Sequence, residues 1–271
     1  MNLDDLRERP RFFGLFIGDP GTGKTIQACS FPGPLYVFDC DNRMRPVLNF
    51  HGDRKDITFD TYHRDYPKFA QHLEYILDKN PYKTVVVDSL TMLSDMIILQ
   101  SLRSAGIGDD KDRVGKKIGG VKVPSIEDFN MESGALTQVM DALRGLRCHV
   151  IMTAHVITTS EKDLKTKKVT ENRTLITAGK KIAAKLPTNF DEIYGFYAEG
   201  SGAFKKYLVN TMNNGLDMGK TSQLLDEEYD ITQNPHSINR ERFLWPQISK
   251  FFTVPDVAEL ADATDLKSVG S

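Results

Sequence analysis

Apolar residues in this chain come in short unbroken bursts separated by longer amphipathic stretches. The bursts cover residues 12–17 (FFGLFI), 35–38 (LYVF), 84–88 (TVVVD) and 149–154 (HVIMTA). Each is too short for a buried helix and rich in β-branched or aromatic side chains, which predicts strands buried on both faces, as in a parallel sheet. Between them, residues 66–78, 90–103 and 126–146 repeat apolar side chains at helical spacing. Phe69, Leu73, Ile76 and Leu77 form one stripe; Leu136, Val139, Met140 and Leu143 form another. Such stripes predict helices that bury one face against the sheet. Strand alternating with helix predicts an α/β fold whose ligand site lies at the carboxyl ends of the strands.

Beyond residue 190 the rhythm changes. Segments 191–198 and 205–212 read as neighbouring strands joined by the EGSG turn at 199–202, an antiparallel hairpin that extends the sheet. No internal repeat or second domain stands out. Residues 1–222 are expected to form the core, and 223–271 a C-terminal extension with a disordered end. Two polar, lysine-bearing segments, 104–125 and 158–174, read as loops, and loops of that length usually serve a function or lack order.

Four sets of polar residues sit where these elements place chemistry. Between the first apolar run and a helix-compatible segment at 26–30 stands Gly18-Asp19-Pro20-Gly21-Thr22-Gly23-Lys24-Thr25, a complete G-x-x-x-x-G-K-T string. A strand feeding such a turn aims backbone N–H groups at one point, with Lys24 reaching β/γ-phosphates and the Thr25 hydroxyl holding Mg²⁺. The run 84–88 ends in Asp88, a carboxylate suited to supporting that metal; its other reading is a helix cap at Asp88 or Ser89. After 35–38 come Asp39 and Asp41. Asp41 is the candidate to polarise an attacking water and Asp39 the second choice, unless both merely cap the strand end. His155, after the fourth run, is either structural or a sensor of the γ-phosphate.

Composition narrows the class further. A net charge of −2 excludes a global basic field, so any nucleic-acid contact must come from local patches. Cys29, Cys40 and Cys148 are widely spaced, which favours reduced buried thiols over disulfides or a zinc site. The charged start MNLDDLRERPRFF has no apolar signal core and no run reaches membrane-spanning length, so a cytoplasmic protein with no membrane partner is expected.

The succession GDPGTGKT, VFDCD, VVVDSLTML and VIMTAHV resembles the ATPase core of the RecA family over roughly residues 12–222. The resemblance implies a RecA-like P-loop NTPase fold, a Mg²⁺-dependent ATPase, Asp41 as the catalytic carboxylate, Asp88 as the metal-supporting one and His155 as the sensor. A glutamate is usual where Asp41 stands. The chain is most similar to core-only RecA-like proteins of phages, implicated in recombination and single-strand annealing in the host cytoplasm. That likeness implies binding to single-stranded DNA, DNA-stimulated turnover and self-assembly into an oligomer or filament. It further implies contact with a single-strand-binding or replication protein.

By the same resemblance, segments 104–125 and 158–174 would line the DNA channel, offering Arg113, Lys116, Lys117 and Lys122, then Lys162, Lys165, Lys167 and Lys168. Acidic neighbours dilute both sets and no aromatic residue interleaves with them, so a solvated surface is the competing reading. The stretch 218–222 (MGKTS) is similar to the family's trans-acting Lys-x-Arg element, with Lys220 present but Ser222 where the arginine would stand. Residues 257–271 resemble the conceptual translation of a bacterial leucine transfer-RNA gene. Two other functions fit the phosphate loop: a small-molecule or nucleotide kinase, for which Arg113 alone would have to serve as lid, and a non-catalytic nucleotide switch for a protein partner.

Overall fold

The computed structural model describes residues 10–105, 117–118, 121–162, 169–213, 219–223, 228–234 and 236–252. Its strands are β1 (Phe13–Gly18), β2 (Leu35–Asp39), β3 (Ile57–Thr61), β4 (Thr84–Asp88), β5 (Lys117–Ile118), β6 (Val121–Lys122), β7 (His149–Ala154), β8 (Val156–Lys162), β9 (Val169–Leu175), β10 (Glu192–Glu199), β11 (Lys206–Asn210) and β12 (Glu228–Asp230). Helices α1 (Lys24–Ala28), α2 (Arg45–His51), α3 (Tyr66–Lys79), α4 (Leu90–Ser104), α5 (Ile126–Gly145), α6 (Lys180–Lys185) and α7 (Leu244–Ile248) lie between and after them. Eight strands form the main sheet in the order β12-β11-β10-β1-β7-β4-β2-β3. The six from β10 to β3 run parallel, and β11 and β12 add an antiparallel edge. The expected hairpin is therefore present, and it joins the sheet through β10 beside β1.

Period-two alternation divides the apolar residues between two cores. Phe13, Leu15 and Ile17 of β1 join Val85 and Val87 of β4 and Val150 and Met152 of β7 on the face covered by α3, α4 and α5. Phe12 and Phe16 join Val37, Val86 and Ile151 on the other face, where α1, α2 and α7 pack. Both faces are covered, which is why these strands carry almost no polar residues until their carboxyl ends.

The region expected as an extension is built into the second core. Tyr229 of β12, then Ile231, Leu244, Trp245, Ile248 and Phe252, are all buried there. The Trp245 ring lies 4.6 Å from Phe31 and 4.8 Å from His149, centroid to centroid. Backbone N–H groups of Leu244 and Trp245 donate to Gln27 Oε1 (2.7 Å) and Ser30 Oγ (3.2 Å), at and just after α1. Packing thus continues past residue 222 to Phe252, while the tail at 257–271 lies outside the described residues.

The segments expected as loops carry strands. Residues 156–175 contain the antiparallel ribbon β8–β9, paired from Val156↔Leu175 to Lys162↔Val169. Among the described side chains of the ribbon only Val156 and Leu175, at its base, enter the core, and Ile157, Thr158 and Ser160 are exposed. In the other segment β5 pairs with β6, and Lys122 Nζ donates to the carbonyls of Leu102 (2.9 Å) and Ala105 (3.0 Å). That ammonium closes the C-terminal end of α4 rather than standing free for a phosphate backbone. Arg113, Lys116, Lys165, Lys167 and Lys168 lie outside the described residues.

His149, at the start of β7, is fully buried and its Nδ1 accepts from Phe12 N–H at 2.9 Å. Burial holds its pKa down at about 3, so the ring is neutral in the fold and takes up a proton only on unfolding. The stabilisation is whole above the unfolded value near 6.5 and is lost as pH falls from there toward about 3. His149→Gln, which keeps an acceptor, is expected to flatten the fall in melting temperature between pH 6.5 and 4, measured by circular dichroism; a fall as steep as in the parent would refute this.

Candidate functional site

The phosphate loop joins β1 to α1. Gly21 and Gly23 take φ of 77° and 95°, left-handed backbone that a side chain disfavours, and this lets the loop curl around an open centre. Lys24 folds back across it: Nζ donates to Gly18 O at 2.8 Å and Asp19 O at 2.9 Å. Burial depresses the Lys24 pKa to about 8, against the raising pull of Asp88, Asp19 and Asp41. Thr22 Oγ1 donates to Asp19 O at 2.8 Å, and Thr25 Oγ1 to Asp88 Oδ2 at 2.8 Å. Pro20, with Gly21 to Thr25, lines the cavity described below.

Asp88 ends β4 next to β7 and opposite Asp39 of β2. Its second oxygen accepts from Thr153 Oγ1, so hydroxyls from α1 and β7 grip the carboxylate from two sides. Burial pushes the Asp88 pKa up, helped by nearby Asp41 and Asp39, while the Thr153 and Thr25 hydrogen bonds oppose it. Ser89, not Asp88, caps α4, its Oγ accepting from Met92 N–H at 3.3 Å.

The same Ser89 hydroxyl donates to Asp41 Oδ1 at 2.7 Å, and His155 Nε2 stands 3.5 Å from Asp41 Oδ2. Burial tends to raise the Asp41 pKa, but the hydrogen bonds from His155 and Ser89 and the Arg43 charge outweigh it, leaving it lowered. Asp41 is thus held ionised, ready to accept a hydrogen bond from water. Asp39 is committed elsewhere: it accepts from Arg43 N–H (3.1 Å) and Thr61 Oγ1 (3.3 Å). His155 sits between β7 and β8; its N–H donates to Thr91 Oγ1 at 3.1 Å and its carbonyl accepts from Ile176 N–H at 2.9 Å. Its Nδ1 is buried with no hydrogen-bond partner among the described residues.

Lys24, Thr25, Asp41, Asp88 and His155 therefore line one cavity of about 460 Å³. A family model described as an AAA domain matches residues 13–224. The chain belongs to this AAA domain family. Among solved structures, a KaiC-like protein from the hyperthermophilic archaeon Pyrococcus horikoshii is similar over 83% of this chain and 87% of its own, at 12% identity and a TM-score of 0.43. No curated protein matches the sequence. With the P-loop strand flanked by β7 and β10 in a parallel sheet, the AAA domain is a P-loop ATPase domain of the RecA-like α/β type.

The AAA-domain match includes every phosphate-site residue above, but the cavity reaches further. Arg43, Pro46 and Phe50 form a wall at and before α2, and Tyr207, Ile231 and Gln233 form another from the antiparallel edge. None of these was among the sequence candidates, and Ile231 and Gln233 lie beyond the family match. Only Arg43 carried a signal, two residues after Asp41.

Lys220 lies outside the cavity. It exchanges backbone hydrogen bonds with Ile193, which stands opposite Leu15, and Nζ donates to Phe190 O at 2.6 Å. Ser222 donates to Glu192 through both N–H and Oγ. This segment pins the amino end of β10, away from the strand ends that carry the phosphate loop.

Mg²⁺ fits the site. The Thr25 hydroxyl and Asp88 are adjacent beside the loop, and among the described residues no group of three or more His, Cys, Asp or Glu forms a closed cage. That suits an ion which usually takes one or two protein ligands and completes its shell with phosphates and water. Cys29, Cys40 and Cys148 are free and buried, and no helix of the described residues is long and apolar enough to cross a membrane.

Proposed function

We propose that the chain hydrolyses ATP in a Mg²⁺-dependent reaction and couples turnover to single-stranded DNA. The observation that carries the ATPase reading is the meeting of Lys24, the Thr25–Asp88 pair and the Ser89–Asp41–His155 network on one cavity. Thr25 and Asp88 would hold Mg²⁺, which when bound neutralises phosphate charge. Lys24 leaves the Gly18 and Asp19 carbonyls to meet the β- and γ-phosphates. Asp41 accepts a hydrogen bond from the attacking water, and His155 and Ser89 fix the carboxylate in place. His155, between the cavity and β8, is suited to reporting the γ-phosphate to the ribbon.

Support for the DNA part is positional. The ribbon rises from the residue after His155, and Lys162, Lys165, Lys167 and Lys168 occupy or follow the end of β8. A charged ribbon suits a phosphate backbone without sequence preference. Self-assembly, with sites between subunits, belongs to the same proposal and rests on the family likeness.

ATP turnover with and without single-stranded DNA, beside a sizing measurement, tests it. Asp41→Asn is expected to lower turnover on the order of 10²–10⁴-fold with nucleotide binding kept, as for loss of a positioned base. Turnover that survives in Asp41→Asn removes Asp41 from the chemistry. If DNA fails to stimulate the parent, the DNA part falls.

A further inference from the structure

The turn after β2 presents two charged residues to the cavity. Asn42, between Asp41 and Arg43, takes φ of 56°, a left-handed conformation that asparagine tolerates better than most residues. Asp39 staples the turn by accepting from Arg43 N–H at 3.1 Å, and its other oxygen accepts from Thr61 Oγ1 of β3. Held this way, Asp41 and Arg43 both line the cavity that contains Lys24 and the Thr25–Asp88 pair.

Among the described residues the Arg43 guanidinium has no hydrogen-bond or ion-pair partner. Arg54 is committed to Asp56, Arg240 to Asp53, Arg242 to Asp230, and Arg11, Arg103 and Arg144 to backbone carbonyls, while Arg45, Arg64 and Arg147, which also lack such a partner among the described residues, do not line the cavity. Arg43 is the only arginine lining the cavity among the described residues. Lys24 follows β1 and Arg43 follows β2, with β7 and β4 between them. Neighbouring strands are about 4.8 Å apart, so the two cations enter from points roughly 14 Å apart, a spacing that can bracket a triphosphate.

We infer that Arg43 is a catalytic residue of the ATPase step, supplied in cis, which donates to the γ-phosphate oxygens in the transition state. The inference rests on the ATPase reading above. In that step the water oxygen bonds to the γ-phosphorus while the bond to the β–γ bridging oxygen breaks. The electron pair of the broken bond stays on ADP. The water proton passes to Asp41 and from there to the released phosphate. Arg43 meets the charge of the transferring group from the side opposite Lys24, and its planar fork can hold two oxygens together, which an ammonium cannot. Its neighbour Asp41 is thereby kept beside a fixed cation throughout the step.

Arg43→Ala and Arg43→Lys, compared with the parent for ADP binding, ATP turnover and retention of ADP with aluminium fluoride, test this. Expected in Arg43→Ala is turnover lower on the order of 10³-fold or more and loss of the aluminium fluoride complex, with ADP affinity changed by less than about 3-fold. Arg43→Lys is expected to recover little of either. Adding excess Lys24→Ala protein, which has a dead site but an intact Arg43, is expected to restore nothing; restoration would overturn supply in cis. Unchanged turnover and analogue retention in Arg43→Ala, or a loss of ADP binding as large as the loss of turnover, would overturn the catalytic role. A parent protein that binds no ADP would instead overturn the ATPase reading itself.

Discussion

Lys24→Ala is expected to abolish detectable ATP hydrolysis and to weaken ATP binding on the order of 10²–10³-fold, read by titration with a fluorescent ATP analogue. The ammonium is buried, and its present partners are the carbonyls of Gly18 and Asp19. A phosphate replaces them with a full opposite charge in a site that excludes much of the water, where removing one partner of a buried charge pair costs about 2–5 kcal/mol. Affinity within a few-fold of the parent would show that the loop does not hold phosphate through this residue. Melting temperature is the control, because the lysine also ties the loop together.

The same lysine sets a pH dependence. Burial holds its pKa at about 8 without nucleotide, and a bound phosphate raises it, so binding above pH 8 takes up a proton. ATP affinity is expected to be level below pH 8 and to fall above it, by at most about tenfold per pH unit. In Lys24→Ala that slope should be absent.

The second large effect is expected far from the phosphates. Trp245→Ala should destabilise the protein by about 3–5 kcal/mol, the usual cost of emptying a large aromatic from a core. For a chain of this size that corresponds to a melting temperature lower by about 6–20 °C, followed by circular dichroism because Trp245 is the single tryptophan. The ring is 9% exposed and packs on Phe31, His149 and Phe252. Its backbone and that of Leu244 tie to Ser30 and Gln27, so the loss would also slacken the helix that carries Lys24 and Thr25. A shift of only a degree or two would mean that α7 rests on the core without being part of it.

Legibility in the sequence followed burial. Strands β1, β2, β4 and β7 were readable because both faces are covered and nearly all of their residues before the carboxyl ends are apolar. Helices α3, α4 and α5 were readable from one-sided stripes. Strand β3 escaped because it is an edge strand with a half-exposed pattern, and β8–β9 because its mixed polar sequence shows no face. Short α7 (LWPQI) carries a proline and no helical period, so its role shows only in three dimensions. In the site, the phosphate loop and Asp88 were legible from spacing. The Ser89 cap was legible too, but the contacts of Ser89 with Asp41, Thr91 with His155 and Thr153 with Asp88 were not, because those partners lie on other strands or loops. Asp41 ranked ahead of Asp39 in sequence, and the turn geometry shows why the two differ: Asp39 accepts from Arg43 N–H and Thr61 Oγ1, while Asp41 lines the cavity.

The centre of the sheet imposes an order on the making of this protein. Strand β1 is hydrogen-bonded on one side to β7, from His149, and on the other to β10, from Glu192. A ribosome delivers Gly18–Thr25 before either partner of β1, so the strand that bears the loop has no neighbour until β7, from His149, has emerged. Strands β11 and β12 and the clasp at 243–252 come later still. Until then the nascent chain carries short apolar strands with open edges, the kind of surface that chaperones bind and that aggregates when unattended. Synthesis stalled before residue 192 therefore yields every acidic and basic residue of the phosphate site but no completed sheet to hold them.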